Sequence, residues 1–178
     1  IVPPTVPQNT LWWDILMALG YIATALLLIL PLVTTRIWFL LGGDANESRA
    51  ILTAHRIITY VLILLLVLHV AGLLIVDTLV IEYLKPSAPW GMIAALLATV
   101  AIVVSTVQSE CRIKFNMRYN RWRSWHGVLT VVMVAGTFFH ILEAKYFTRS
   151  ISEFFALGAL SIAAGGLIFR SEEHTSEL

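Results

Sequence analysis

Long apolar runs broken by short polar stretches dominate the chain. They run roughly from Leu11 to Val33, Ala54 to Val76, Trp90 to Val107, Trp125 to Leu142 and Phe154 to Phe169. Most approach the ~20 residues that a helix needs to span hydrocarbon. Backbone groups in lipid must be paired within the segment, so each run is predicted to be a helix. The residue-by-residue alternation of a membrane barrel is absent. The breaks carry turn chemistry: Pro3, Pro4 and Pro7 at the start, Gly42-Gly43-Asp44 with Asn46 after the first run, and Lys85-Pro86-Ser87-Ala88-Pro89 after the second. Trp12, Trp13, Trp38, Trp90, Trp122 and Trp125 fall near the ends of runs, as an interfacial aromatic belt does.

Composition agrees with a lipid solvent. The chain has 178 residues, 58% hydrophobic and 13% charged, with a mean hydropathy of +0.83. A soluble domain is about one quarter charged, so this chain cannot cover its own surface with polar groups. The expected fold class is therefore an all-α integral membrane protein, a helical bundle with five visible transmembrane helices. Its one cysteine, Cys111, permits no intrachain disulfide, and the absence of CxxC and CxxCH argues against a thiol redox pair and against covalently attached haem. GxGxxG and GxxxxGK[ST] are also missing, so nucleotide chemistry must come from elsewhere. No basic patch interleaved with aromatics suggests nucleic acid.

The distribution of charge predicts orientation. After the third run stand Arg112, Lys114, Arg118, Arg121 and Arg123 against Glu110; after the first, Arg36, Arg49 and Arg56 against Asp44 and Glu47. After the second, Lys85 faces Asp77 and Glu82, and after the fourth Lys145 and Arg149 balance Glu143 and Glu153. Positive charge stays inside, which places the loops after runs one and three in the cytoplasm. Runs two and four then cross in the same direction. The final residues 170–178, RSEEHTSEL, resemble a translated sequencing adapter, and the chain begins with Ile rather than Met. Residues 1–169 are accordingly expected to be native and His174 is set aside.

Every remaining histidine lies in run two or run four: His55 and His69, then His126 and His140, each pair 14 residues apart. At about 100° per residue, 14 steps fall about 40° short of four full turns, so each pair shares a helix face with partners roughly 21 Å apart along the axis. Parallel helices match the depths: His55 with His126 near the cytoplasmic face, His69 with His140 near the outer face. Each level offers two imidazoles, enough to clamp one iron from both sides in a non-covalent haem b. A single histidine in a membrane helix also bonds a backbone carbonyl or lines a polar cavity, but ionisable groups at that depth are costly. Zinc or copper transport competes less well, because the imidazoles form two distant pairs and not one cluster with carboxylates. Gly72, Gly127 and Gly136 suit either the approach of a flat macrocycle or ordinary close helix packing. Arg56, Arg121 and Arg123 lie near the inner level and suit haem propionates, or serve as plain cytoplasmic charge. Asp77, Glu82 and Glu143 sit near the outer exit, where they meet a metal acceptor or act as solvated loop charge.

The segments His55-Arg56-Ile57 to His69-Val70-Ala71-Gly72, and Tyr119-Asn120-Arg121-Trp122-Arg123-Ser124-Trp125-His126 to His140, resemble the ferric reductase-like transmembrane domain of ferric reductases, NADPH oxidases and bacterial relatives. Trp13-Asp14, Ala18-Leu19-Gly20, Arg36 and Leu41-Gly42-Gly43-Asp44 look like its bacterial members. The resemblance covers roughly residues 11 to 169 and implies six helices around two stacked haems, with the four matched histidines as axial ligands to iron. It also implies a FAD- and NAD(P)H-binding cytoplasmic domain beyond the last helix, absent here. Such a module would pass electrons to the His55/His126 level, then to the His69/His140 level, and out to ferric iron or oxygen. The chain itself would be the membrane domain of an oxidoreductase in a bacterial inner membrane, with lipid, a cytoplasmic flavin reductase and an outer acceptor as partners. A flavin-free, quinone-linked subunit serving a periplasmic reductase is the first alternative, and a haem-free transporter or structural protein the second.

Overall fold

The computed structural model describes residues 11–34 and 45–144, with side chains for 11–31 and 49–144. It contains four long helices, α1 (Leu11–Thr34), α2 (Ala45–Val76), α3 (Trp90–Glu110) and α4 (Tyr119–Ala144), with a short 3-10 helix (Thr78–Leu84) after α2. Among the described residues there is no strand. Each of the four carries a stretch long and apolar enough to cross a membrane: Leu11–Pro31, Arg49–Val76, Trp90–Glu110 and Tyr119–Ala144. The chain is thus all-α and membrane-spanning, as its apolar pattern predicts. The fifth run, 154–169, lies outside the described residues.

Two helices outrun the apolar pattern. α2 starts nine residues before Ala54 and takes in Asn46, which the sequence assigns to the break, and α4 starts six residues before Trp125. Apolar runs mark the depth of the lipid, whereas a helix continues into water wherever its backbone bonds continue. The Lys85–Pro89 break is non-helical as expected. The 3-10 helix before it is capped by Asp77, whose Oδ1 accepts the Leu79 N–H at 2.9 Å.

The described residues form two compact units, the first holding α1, α2 and the 3-10 helix, the second α3 and α4. In the first, α1 packs on α2 through Leu16, Ala23, Leu27 and Leu30, with Leu62 of α2 buried opposite. In the second, α3 packs on α4 through Gly91, Ala98, Ala101 and Ser105. Steps of seven, four and three residues keep each stripe on one face. The α3 stripe is made of small residues, which lets two backbones come close where lipid supplies no hydrophobic drive. Outward positions remain apolar: Leu11, Ile22, Leu64, Ile75, Leu97, Val100, Val128 and Val131 are exposed large hydrophobics, the surface of a protein solvated by hydrocarbon.

Candidate functional site

All four candidate histidines sit inside long helices, His55 and His69 in α2 and His126 and His140 in α4, each half-buried. The first pair belongs to the first unit and the second pair to the second. Within a helix the two rings stand about four turns apart and do not meet. What each unit does bring together is a histidine and a neighbouring helix.

In the first unit, α1 supplies main-chain atoms to both rings of α2. The Nδ1 of His69 lies 2.7 Å from the Leu16 carbonyl oxygen, and His55 is hydrogen-bonded to the backbone of Leu30. Leu16 and Leu30 are themselves 14 residues apart, so the antiparallel register of α1 repeats the spacing of the histidines. Gly20 makes the His69 contact sterically feasible. A Cβ there would stand 2.9 Å from the Cε1 and 3.0 Å from the Nδ1 of His69. Lying one turn after Leu16, glycine exposes that carbonyl to a ring as well as to its own helix. Gly20 entered the sequence reading only through family resemblance; its role depends on which helix faces α2, which no spacing within α2 specifies.

A carbonyl oxygen only accepts, so the Nδ1 of His69 carries the proton and Nε2 keeps its lone pair. Metal-ligating histidines are commonly oriented in this way, with the second nitrogen bound to a carbonyl. The backbone-bonding alternative and the ligand reading therefore describe the two nitrogens of one ring. This donor chemistry fits an axial haem ligand.

In the second unit the His126 Nδ1 lies 2.8 Å from the Ser105 hydroxyl of α3, and the Trp122 ring stacks on the imidazole at 5.2 Å between centroids and 26° between planes. The Trp122 Nε1–H donates to the Ser109 hydroxyl at 3.2 Å. Trp122 therefore does more than a belt residue, while Trp12, Trp90 and Trp125 are exposed as a belt requires. Arg112 lies over both Tyr119 and Trp122, 5.6 and 5.5 Å from the ring centroids, a cation–π clip at the head of this column. An open hollow of about 610 Å³ lined by Arg118, Tyr119, Asn120 and Arg121 lies beside it.

The glycines divide. A Cβ on Gly72 would strike the Leu16 side chain, and one on Gly136 would stand 2.8 Å from the Ala94 carbonyl oxygen, so both serve helix packing. One on Gly127 would meet nothing within 4 Å among the described residues, which leaves that position open to a macrocycle. Arg56 and Arg121 are exposed and Arg123 is half-buried. The acids Asp77, Glu82 and Glu143 are committed: Asp77 is buried and caps the 3-10 helix, Glu82 pairs with Lys85 at 2.6 Å, and Glu143 accepts the Gly91 N–H. Asp77 is therefore neither a solvated loop charge nor an exposed docking group, because burial and the cap define it. Among the described residues no group of three or more His, Cys, Asp or Glu comes together.

No curated protein and no solved structure matches the chain. A family model described as ferric reductase like transmembrane component matches residues 19–137, a span that runs from beside Gly20 through His55, His69 and His126. Families of this kind are membrane electron-transfer domains and generally bind haem. With apolar spans, intramembrane imidazoles and this match in agreement, the chain belongs to the ferric reductase-like transmembrane family.

Proposed function

We propose that the chain carries electrons across the bilayer with two bis-histidine b haems, one held by His55 and His126 and the other by His69 and His140. The observation that carries this reading is the His69 ring, whose Nδ1 proton is held by the Leu16 carbonyl at 2.7 Å, so that Nε2 presents its lone pair. The equal 14-residue spacing of the two pairs and the family match support it. Haem b held by these four histidines would supply a one-electron iron couple suited to relaying electrons.

The chain's own residues do the rest. α1 orients His69 from its main chain, and Ser105 and Trp122 hold His126. Gly127 leaves room on α4 beside its ligand. Arg56 and Arg123 neutralise propionates at the inner level. The apolar outer surfaces keep water from the imidazoles, which favours neutral, ligating rings. The donor is a cytoplasmic flavin module fed by NAD(P)H, meeting the basic loop between α3 and α4, and the acceptor at the opposite face is ferric iron or oxygen. The setting is a bacterial inner membrane with that loop inside.

The test is a reduced-minus-oxidised visible spectrum of protein purified from cells supplied with haem. Two low-spin b haems per chain are expected, with a sharp α band, and each His→Ala variant should lose one of them. Colourless protein, or haem retained in all four variants, overturns the reading.

A further inference from the structure

Ser105 and Asp77 are the two buried polar residues among those described. Asp77 commits its carboxylate to a cap. Ser105 is different from the other hydroxyls of these helices. Thr24, Thr59, Thr99, Thr106, Ser109 and Thr130 each return their hydroxyl to the carbonyl four residues back, the ordinary solution in an apolar solvent. The Ser105 hydroxyl crosses to α4 and meets the Nδ1 of His126 at 2.8 Å. The contact sits in a closed loop of interactions. Trp122 stacks on His126 and donates to Ser109, and Ser109 donates to the Ser105 carbonyl at 2.8 Å.

We propose that Ser105 is a positioning residue for His126, its hydroxyl oxygen accepting the Nδ1 proton so that Nε2 is the nitrogen offered to the haem iron. This deepens the electron-transfer reading and rests on it. A hydroxyl, unlike a carbonyl, can donate or accept, so the Ser105 contact is compatible with either tautomer of the ring. Iron at Nε2 requires one of them, and the contact then runs from Nδ1–H to Oγ. An accepting partner on Nδ1 makes the imidazole a stronger donor and stabilises the oxidised iron relative to the reduced. The two levels thus differ in kind: His69 is oriented by a main-chain atom that no substitution can delete, whereas His126 is oriented by a side chain that can be exchanged.

The experiment is a potentiometric titration of the full chain, purified with haem, as wild type, Ser105→Ala, Ser105→Thr and Ser105→Cys. Ser105→Ala should raise one midpoint and leave the other in place. The midpoint that moves should be the one surviving in His69→Ala. Ser105→Thr, which keeps the hydroxyl, should retain the wild-type value. Should the alanine variant lose haem, the threonine and cysteine variants carry the comparison, the thiol being a poor acceptor that raises the same midpoint. Unmoved midpoints, a common shift of both, or threonine behaving as alanine or cysteine overturns the role of Ser105. Wild-type protein without two haems instead overturns the electron-transfer reading itself.

Discussion

At the level of single residues, the Leu16 carbonyl and Gly20 together determine what His69 can do. Gly20→Ala places a methyl 2.9 to 3.3 Å from three ring atoms of His69, so the ring must move off the carbonyl. That hydrogen bond is worth about 1 kcal/mol in all, so its oxidised-minus-reduced difference can shift a one-electron midpoint by at most about 40 mV. On the proposed haem assignment, the expected result is a rise within that bound in the midpoint of the haem at His69 with the other unchanged, read by redox titration. His69→Ala should remove the outer haem altogether while dithionite still reduces the inner one, visible as half the α-band intensity. These histidines were legible in the sequence from their spacing and their isolation in apolar runs. Gly20 and Ser105 were not, because a brace is defined by which helix packs against the histidine, and neither position breaks the local pattern.

Among the elements, the second helix pair separates packing glycines from open ones. Gly136→Leu drives a side chain into the Ala94 carbonyl, 2.8 Å from where its Cβ would stand, and should lower the stability of α3 against α4 by about 1–3 kcal/mol. Thermal unfolding in detergent measures it. A Cβ on Gly127 meets nothing within 4 Å among the described residues, so Gly127→Ala should not lower that unfolding temperature, while it should weaken haem retention if a macrocycle lies there. The loop between these helices turns at Asn116, the described non-glycine residue with positive φ, at 48°. Asn116→Val should cost roughly 1–2 kcal/mol, and Asn116→Gly should be tolerated, in the same unfolding assay. Helix existence was readable from hydropathy. The early starts of α2 and α4 were not, because their first turns are polar and the lipid signal begins later. The 3-10 helix was hidden as well, since its stabilising feature is a buried aspartate cap that reads in sequence as a loop charge.

For the molecule as a whole, sidedness is open to a direct measurement. Cys111 is the one cysteine of the chain and lies at the head of the basic loop after α3, partly accessible. A membrane-impermeant maleimide should label it in inside-out vesicles and spare it in right-side-out vesicles; labelling in right-side-out vesicles reverses the orientation. In each unit the histidine-bearing helix is also the less covered one. Buried residues make up 6% and 11% of the spans in α2 and α4, against 22% and 28% in α1 and α3. Each unit therefore consists of a histidine-bearing helix left broadly open and a companion that contacts one or both of its imidazoles. The companion precedes the histidine-bearing helix in both cases: Leu16 comes before His69, and Ser105 before His126. During synthesis at the ribosome, the residue that contacts each of these rings is thus already part of the chain when the histidine is added. Each brace and its histidine thus belong to one hairpin, so the contact needs no helix from the other unit to form.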